Sequence, residues 1–141
     1  MTTTPQGSSR CFPPHAVHSV RATYVRQAGC PAYFADVTFD VEPAHASGSY
    51  VEVAVPHGLR VEPRGEPLVA VSYLAAFRDG FADALAEHRS DVRADVLIVV
   101  RKVTIHEVDS NDSAFRHAGR LALDAVIRRL AEDLAPDHPA A

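Results

Sequence analysis

The sequence predicts an α+β protein: a two-layer sandwich with element order β-β-β-α-β-α, both helices lying on one face of the sheet. Three observations carry this expectation. Val37, Phe39 and Val41 alternate with Asp36, Thr38, Asp40 and Glu42, the two-residue period of a strand with one wet face. Leu74, Phe77, Phe81, Ala84 and Leu85, and later Phe115, Ala118, Ala122, Val126 and Leu130, recur at helical spacing, each set forming one apolar stripe. Val96 through Val100 is apolar at every position and mostly β-branched, which describes a buried strand.

Taken in order, residues 1–16 hold Thr, Pro, Gly and Ser and bury too little apolar surface to offset their ordering entropy, so they read as a tail. The folded domain is expected over 17–134, with a second short tail over 135–141. From Val17 a strand begins, in which Val20, Ala22 and Tyr24 alternate with Arg21, Thr23 and Val25. Gln27 to Pro31 breaks it, since glycine and proline punctuate turns. The second strand carries the Asp36–Glu42 alternation. Pro43 to Gly48 turns the chain into a third strand, Tyr50 to Val55, with Val51, Val53 and Val55 inward. The proximity of the second and third strands predicts an antiparallel hairpin between them.

Pro56 to Pro67 reads as irregular, and a helix is expected from about Pro67, a residue tolerated in a first turn. Gly80 lies inside that helix and costs about 1 kcal/mol relative to alanine; a close approach to the sheet is the expected compensation. His88 to Arg93 forms a polar connection. The Val96 strand follows, then a turn, then the last helix, with Asp109 and Ser110 as its expected caps. A two-layer fold covers one face of its sheet. The uniformly apolar Val96–Val100 run therefore calls for a loop such as Pro56–Pro67, or another surface, on the other face.

Composition bounds the function. The chain has 141 residues, 47% hydrophobic and 23% charged, ordinary for one globular domain. No apolar run is long enough to span a bilayer, and the N-terminus lacks the basic start and apolar stretch of a secretion signal, so the cytoplasm is expected. Cys11 and Cys30 have no metal-type spacing and read as free thiols. A formal charge of −4 argues against non-specific wrapping of nucleic acid, while leaving room for a local basic patch. There is no Gly-x-x-x-x-Gly-Lys-Ser/Thr motif, hence no phosphate-cradling loop, and His106-Glu107 lacks a second histidine at helical spacing. No cofactor, metal or nucleotide is expected, and no nucleophile–base pair stands out, so a non-enzymatic role is expected.

Three blocks then carry a family resemblance: Tyr24-Val25-Arg26-Gln27-Ala28-Gly29, the run Tyr73-Leu74-Ala75-Ala76-Phe77-Arg78-Asp79-Gly80-Phe81, and His106-Glu107-Val108-Asp109-Ser110, continued by Ala114 to Gly119. In this order they span most of the folded part, and the chain from Ala22 to Leu134 resembles domain IV of translation elongation factor G and its eukaryotic and tetracycline-resistance relatives. The resemblance implies the fold of the second domain of small-subunit ribosomal protein five, including a left-handed β-α-β crossover. It also implies entry into the decoding region of the small ribosomal subunit, with the tip histidine matching His106. The loop Cys30-Pro31-Ala32-Tyr33-Phe34 lacks the glycines and arginine usual at that tip, and the connection before His106 is shorter than usual.

The candidate contacts to ribosome or structured RNA are His106, expected in the turn between the apolar strand and the last helix, with Glu107, Asp109 and Gln27, and Arg26, Arg101 and Lys102, expected toward the same end of the sheet as His106. For the basic residues the alternative is pairing with Asp36, Asp40 or Glu42 across strands, expected for at least one of them. Asp109 and Ser110 read as caps rather than as parts of a triad. Arg116, Arg120, Arg128 and Arg129 read as the solvated face of the last helix. The competing function is an interaction domain that homodimerises and has lost RNA binding.

Overall fold

The computed structural model describes residues 11–26, 32–44, 50–62, 70–88, 93–106 and 109–134. Its elements are β1 (Cys11–Phe12), β2 (Val17–Arg26), β3 (Tyr33–Pro43), β4 (Tyr50–Ala54), β5 (Arg60–Glu62), α1 (Val71–His88), β6 (Arg93–Thr104) and α2 (Asp112–Leu134). The architecture is the expected α+β sandwich, one six-stranded sheet with two helices. Among the described residues no helix is long and apolar enough to cross a membrane.

The apolar β6 is the hub. One of its edges pairs antiparallel with β3, which in turn pairs antiparallel with β2. Its other edge pairs in succession, all parallel, with β1, β4 and β5. The expected hairpin between β3 and β4 therefore does not form; β6 lies between them. Alternation along a strand specifies which face is inward, not which strand is next door. The six residues 44–49 reach about 20 Å when extended, ample for two inter-strand spacings of about 10 Å. The strand with most apolar surface takes the centre, and β4, α1 and β6 form a parallel crossover unit.

Two short strands escaped composition. Phe12 is 3% exposed and β1 pairs with Arg93 and Ala94, so the fold reaches back to residue 11 rather than starting at 17. One large apolar side chain in a Pro- and Ser-rich stretch is diluted in any compositional average. Likewise β5 lies within the stretch read as irregular and pairs with Lys102–Thr104. The remaining tail residues, 1–10 and 135–141, and the expected helix start at Pro67 lie outside the described residues.

The core fills the space between sheet and helices. Val37, Phe39 and Val41 meet Val96, Ile98, Val100 and Val103 on the inner face, all fully buried. Opposite them, both expected helical stripes are buried along their length. Two bulges adjust the phase. Thr38 pairs with Lys102 but Phe39 with Val100, leaving Arg101 as the extra residue; the inward position thus passes from Val100 to Val103. In β2 a similar irregularity between Val17 and Val20 contains Ser19, whose φ of 57° lies in the left-handed region.

Gly80 does have a close neighbour, but that neighbour is α2 rather than the sheet. A Cβ on Gly80 would stand 2.0 Å from the Arg116 carbonyl oxygen, and one on Gly119 would stand 2.0 Å from that of Phe77. The two helices cross backbone to backbone at this glycine pair. Around the crossing, Arg116 pairs with Asp83 at 3.0 Å and Arg120 with Glu87 at 2.5 Å. These arginines lean on α1 instead of forming a purely solvated face, and Arg129 donates to the His18 carbonyl at 3.0 Å.

Candidate functional site

The site is one end of the sheet. It is built from the end of β2, the start of β3 and the turn joining β6 to α2. Backbone groups lock that turn. Phe34 N–H donates to the Asp109 carbonyl at 3.0 Å, and Ser110 N–H to the His106 carbonyl at 3.0 Å. The Ser110 hydroxyl donates to the Phe34 carbonyl at 2.8 Å and accepts the His106 N–H at 2.9 Å. Tyr73 Oη donates to the Ser110 carbonyl at 3.3 Å, tying α1 to the same turn.

The helix cap is Asn111, one residue beyond the expected pair: its side-chain oxygen accepts the Ala114 N–H at 2.8 Å. Ser110 is buried at 8% exposure, and its hydroxyl is engaged by two backbone groups of the turn. That commitment leaves it in no position to serve His106 as a nucleophile, so the turn does not have triad geometry.

His106 is held at the tip with its ring half exposed, at 45%. Its Nδ1 accepts the Asp109 N–H at 3.1 Å, which assigns the neutral ring's proton to Nε2. The Asp109 carboxylate lies 3.6 Å from Nδ1. Beside the imidazole sits Phe34, with ring centroids 5.9 Å apart. The pair sets an imidazole and an aromatic face side by side at the tip.

Of the other sequence candidates, Arg26 lies opposite Tyr33, at the tip and exposed. Gln27 and Glu107 lie outside the described residues. Arg101 and Lys102 are not at the tip. Arg101 is at mid-sheet, where its Nε donates to Asp40 at 2.9 Å and its Nη2 lies 2.8 Å from the same oxygen, the cross-strand pairing anticipated as the alternative. Lys102 lies opposite Thr38, four residues along β3 from Phe34. The bulge at Arg101 and the length of β6 set these positions, and neither shows in residue spacing.

Phe34 was not among the sequence candidates, nor was a second aromatic group on the helix side of the tip. There Tyr24 stacks on His117 with centroids 4.7 Å apart, and Tyr33 lies 6.0 Å from Tyr24. The doublet Tyr33-Phe34 was the available signal. In a strand, adjacent side chains take opposite faces, so one aromatic serves each side of the tip.

Residues 14–130 match the family model for elongation factor G, domain IV. Elongation factor G from two strains of Dehalococcoides mccartyi, BAV1 and CBDB1, is 30% identical over 108 residues, covering 75% of this chain and 14% of the relative. The factor from a third strain is 31% identical over the same length. The chain thus spans about one-seventh of the curated relatives it matches. A crystal structure from Thermus thermophilus superposes with a TM-score of 0.53 at 23% identity, over 77% of this chain and 16% of that one, a likeness of fold. With the family model running from before β2 almost to the end of α2, this chain belongs to the elongation factor G domain IV family.

Proposed function

We propose that this domain of translation-factor type is a non-enzymatic module that binds structured RNA of the small ribosomal subunit through the His106–Phe34 tip and modulates translation. The observation that carries the reading is the locked imidazole. Its Nδ1 accepts the Asp109 N–H and its half-exposed ring stands beside Phe34, so the tip presents a fixed imidazole next to an aromatic ring. RNA loops are recognised by this combination of stacking and edge hydrogen bonding.

The test is co-sedimentation with purified small ribosomal subunits at low and moderate salt. His106→Ala and Phe34→Ala are each expected to weaken binding roughly tenfold, because one stacked base is worth about 1–3 kcal/mol. Circular dichroism of both variants should match the parent. No co-sedimentation at low salt would rule the reading out.

A second reading, self-association, is favoured by the β4 edge. Among the described residues β4 pairs only with β6. Beside it runs a groove of about 500 Å³ lined by Val51, Val53, Val55, Val71, Leu74 and Arg78, with Val55 44% and Val71 52% exposed. A second copy pairing antiparallel about Val53 would set each Val51 against the other copy's Val55. Each Glu52 would then meet an alanine, Ala54, rather than a like charge. Light scattering is expected to show a dimer that Val55→Glu dissolves; a monomer at high micromolar concentration excludes this reading.

A further inference from the structure

We propose that the open face of the sheet, opposite the helices, carries a phosphate-binding row that continues the tip: Arg21, Thr38, Lys102 and Arg60. This deepens, and rests on, the RNA-binding reading above.

The row is a consequence of register. Arg21 lies opposite Thr38. Thr38 lies opposite Lys102, and Lys102 opposite Arg60. The four positions form one rung across β2, β3, β6 and β5, which at about 4.8 Å per strand spans about 14 Å. All belong to the outer face, because their neighbours Val20, Ala22, Val37, Phe39 and Val103 are the buried ones. Arg101, the extra residue of the β6 bulge, adds a further cation beside the rung.

Buried carboxylates orient two of these cations. Asp36, 9% exposed, holds Arg21 by Nε at 2.9 Å and Nη2 at 2.6 Å. Asp40, 5% exposed, holds Arg101 through a single oxygen, Oδ2, which accepts from Nε at 2.9 Å and lies 2.8 Å from Nη2. A guanidinium has five N–H donors and such a grip uses two, so donors remain on the solvent side. The Arg21 and Arg101 side chains are 66% and 52% exposed. Both acids lie on this same outer face, two positions to either side of Thr38 on β3, and each leaves further guanidinium N–H groups unused. Glu62 is the exception: it reaches Arg60 at the surface, at 3.0 Å.

The row also runs on from the tip. Phe34 and Thr38 lie an even number of residues apart on β3, hence on the same face, about 13 Å apart along the strand. A strand of RNA with one base on Phe34 and His106 can therefore lay its backbone over this face. Contacts to phosphate position a partner without reading its sequence, which suits a row of arginine and lysine. A linear polyanion matches a single rung of cations better than a compact acidic protein surface does.

The experiment uses the full chain with small ribosomal subunits across a salt series. The double variant Lys102→Gln/Arg60→Gln is expected to flatten the dependence of log K on log salt by roughly 0.7–0.9 for each phosphate it no longer neutralises. His106→Ala should weaken binding and leave that slope in place. Glu62→Gln, which releases Arg60, is expected to tighten binding, an outcome a purely structural ion pair would not produce. If the parent binds subunits but the double variant keeps the same slope and affinity, the row is wrong. If the subunits do not bind at all, the tip reading fails by itself. The row is then decided with polyuridylate at low salt: retention abolished by the double variant supports it, and absence of retention overturns it.

Discussion

Gly119→Ala is expected to lower the free energy of unfolding by roughly 3 kcal/mol, and Gly80→Ala by a similar amount. Helix propensity alone predicts the opposite, since alanine is favoured over glycine by about 1 kcal/mol inside a helix. The close approach decides the sign. The added methyl would lie 2.0 Å from a backbone carbonyl oxygen of the other helix. No rotamer change relieves a contact with backbone, so the helices must separate. Phe77, Phe81 and Phe115, all fully buried beside the crossing, would then give up part of their packing. Urea titration with a common slope measures the loss. An alanine variant at either glycine that is as stable as the parent would mean the helices stand further apart than described. Leucine at position 119 is expected to abolish folding.

Asp40→Ala is expected to cost roughly 2 kcal/mol, less than for a fully buried pair because Arg101 is half exposed to water. Asp40 is 5% exposed and accepts from Ser19 N–H at 2.8 Å as well as from Arg101. His18 lies 3.5 Å away. The Ser19 bond holds a non-glycine residue at a positive φ, a conformation that costs about 1 kcal/mol or more. Removing the carboxylate leaves that strain without its anchor and one guanidinium without its partner.

The same group sets an acid limb. Burial pushes the Asp40 carboxyl up, but the hydrogen bonds from Ser19, Arg101 and His18, with the Arg101 charge, together pull it below its ordinary value. The hydrogen bond from Arg21 does the same for Asp36 against opposing burial. A carboxylate whose folded value is depressed contributes stability that is present above its unfolded value, near 4, and lost as pH falls through the folded one. The parent should therefore lose stability as pH falls below about 4, and Asp40→Ala should lose less over that interval. Parallel acid limbs in the two proteins would sink this account.

Most of the elements were legible because they follow from periodicity. The stripes Leu74–Leu85 and Phe115–Leu130 and the alternation of β3 each state which side is buried, and the structure buries that side. His106 was expected in the turn after the apolar strand and lies there; that its ring is half exposed only the structure shows. The failures share a cause. The β3–β4 hairpin, the sheet as partner of Gly80, and the tip location of Arg101 and Lys102 all required knowing which element lies next to which. Phe34 and the Tyr24–Tyr33–His117 cluster were passed over because a strand end read as a loop hides the opposition of adjacent side chains.

By itself the amino-acid order determined the class of fold, the inward face of each long element and the family blocks, because these depend on residue type and local period. Only the tertiary structure decided that β6 occupies the middle of the sheet, that two glycines let the helices touch, and that cations from three strands fall on one rung. Neighbour choice is settled by the summed burial and hydrogen bonding of segments far apart in the chain, and no local window contains that sum.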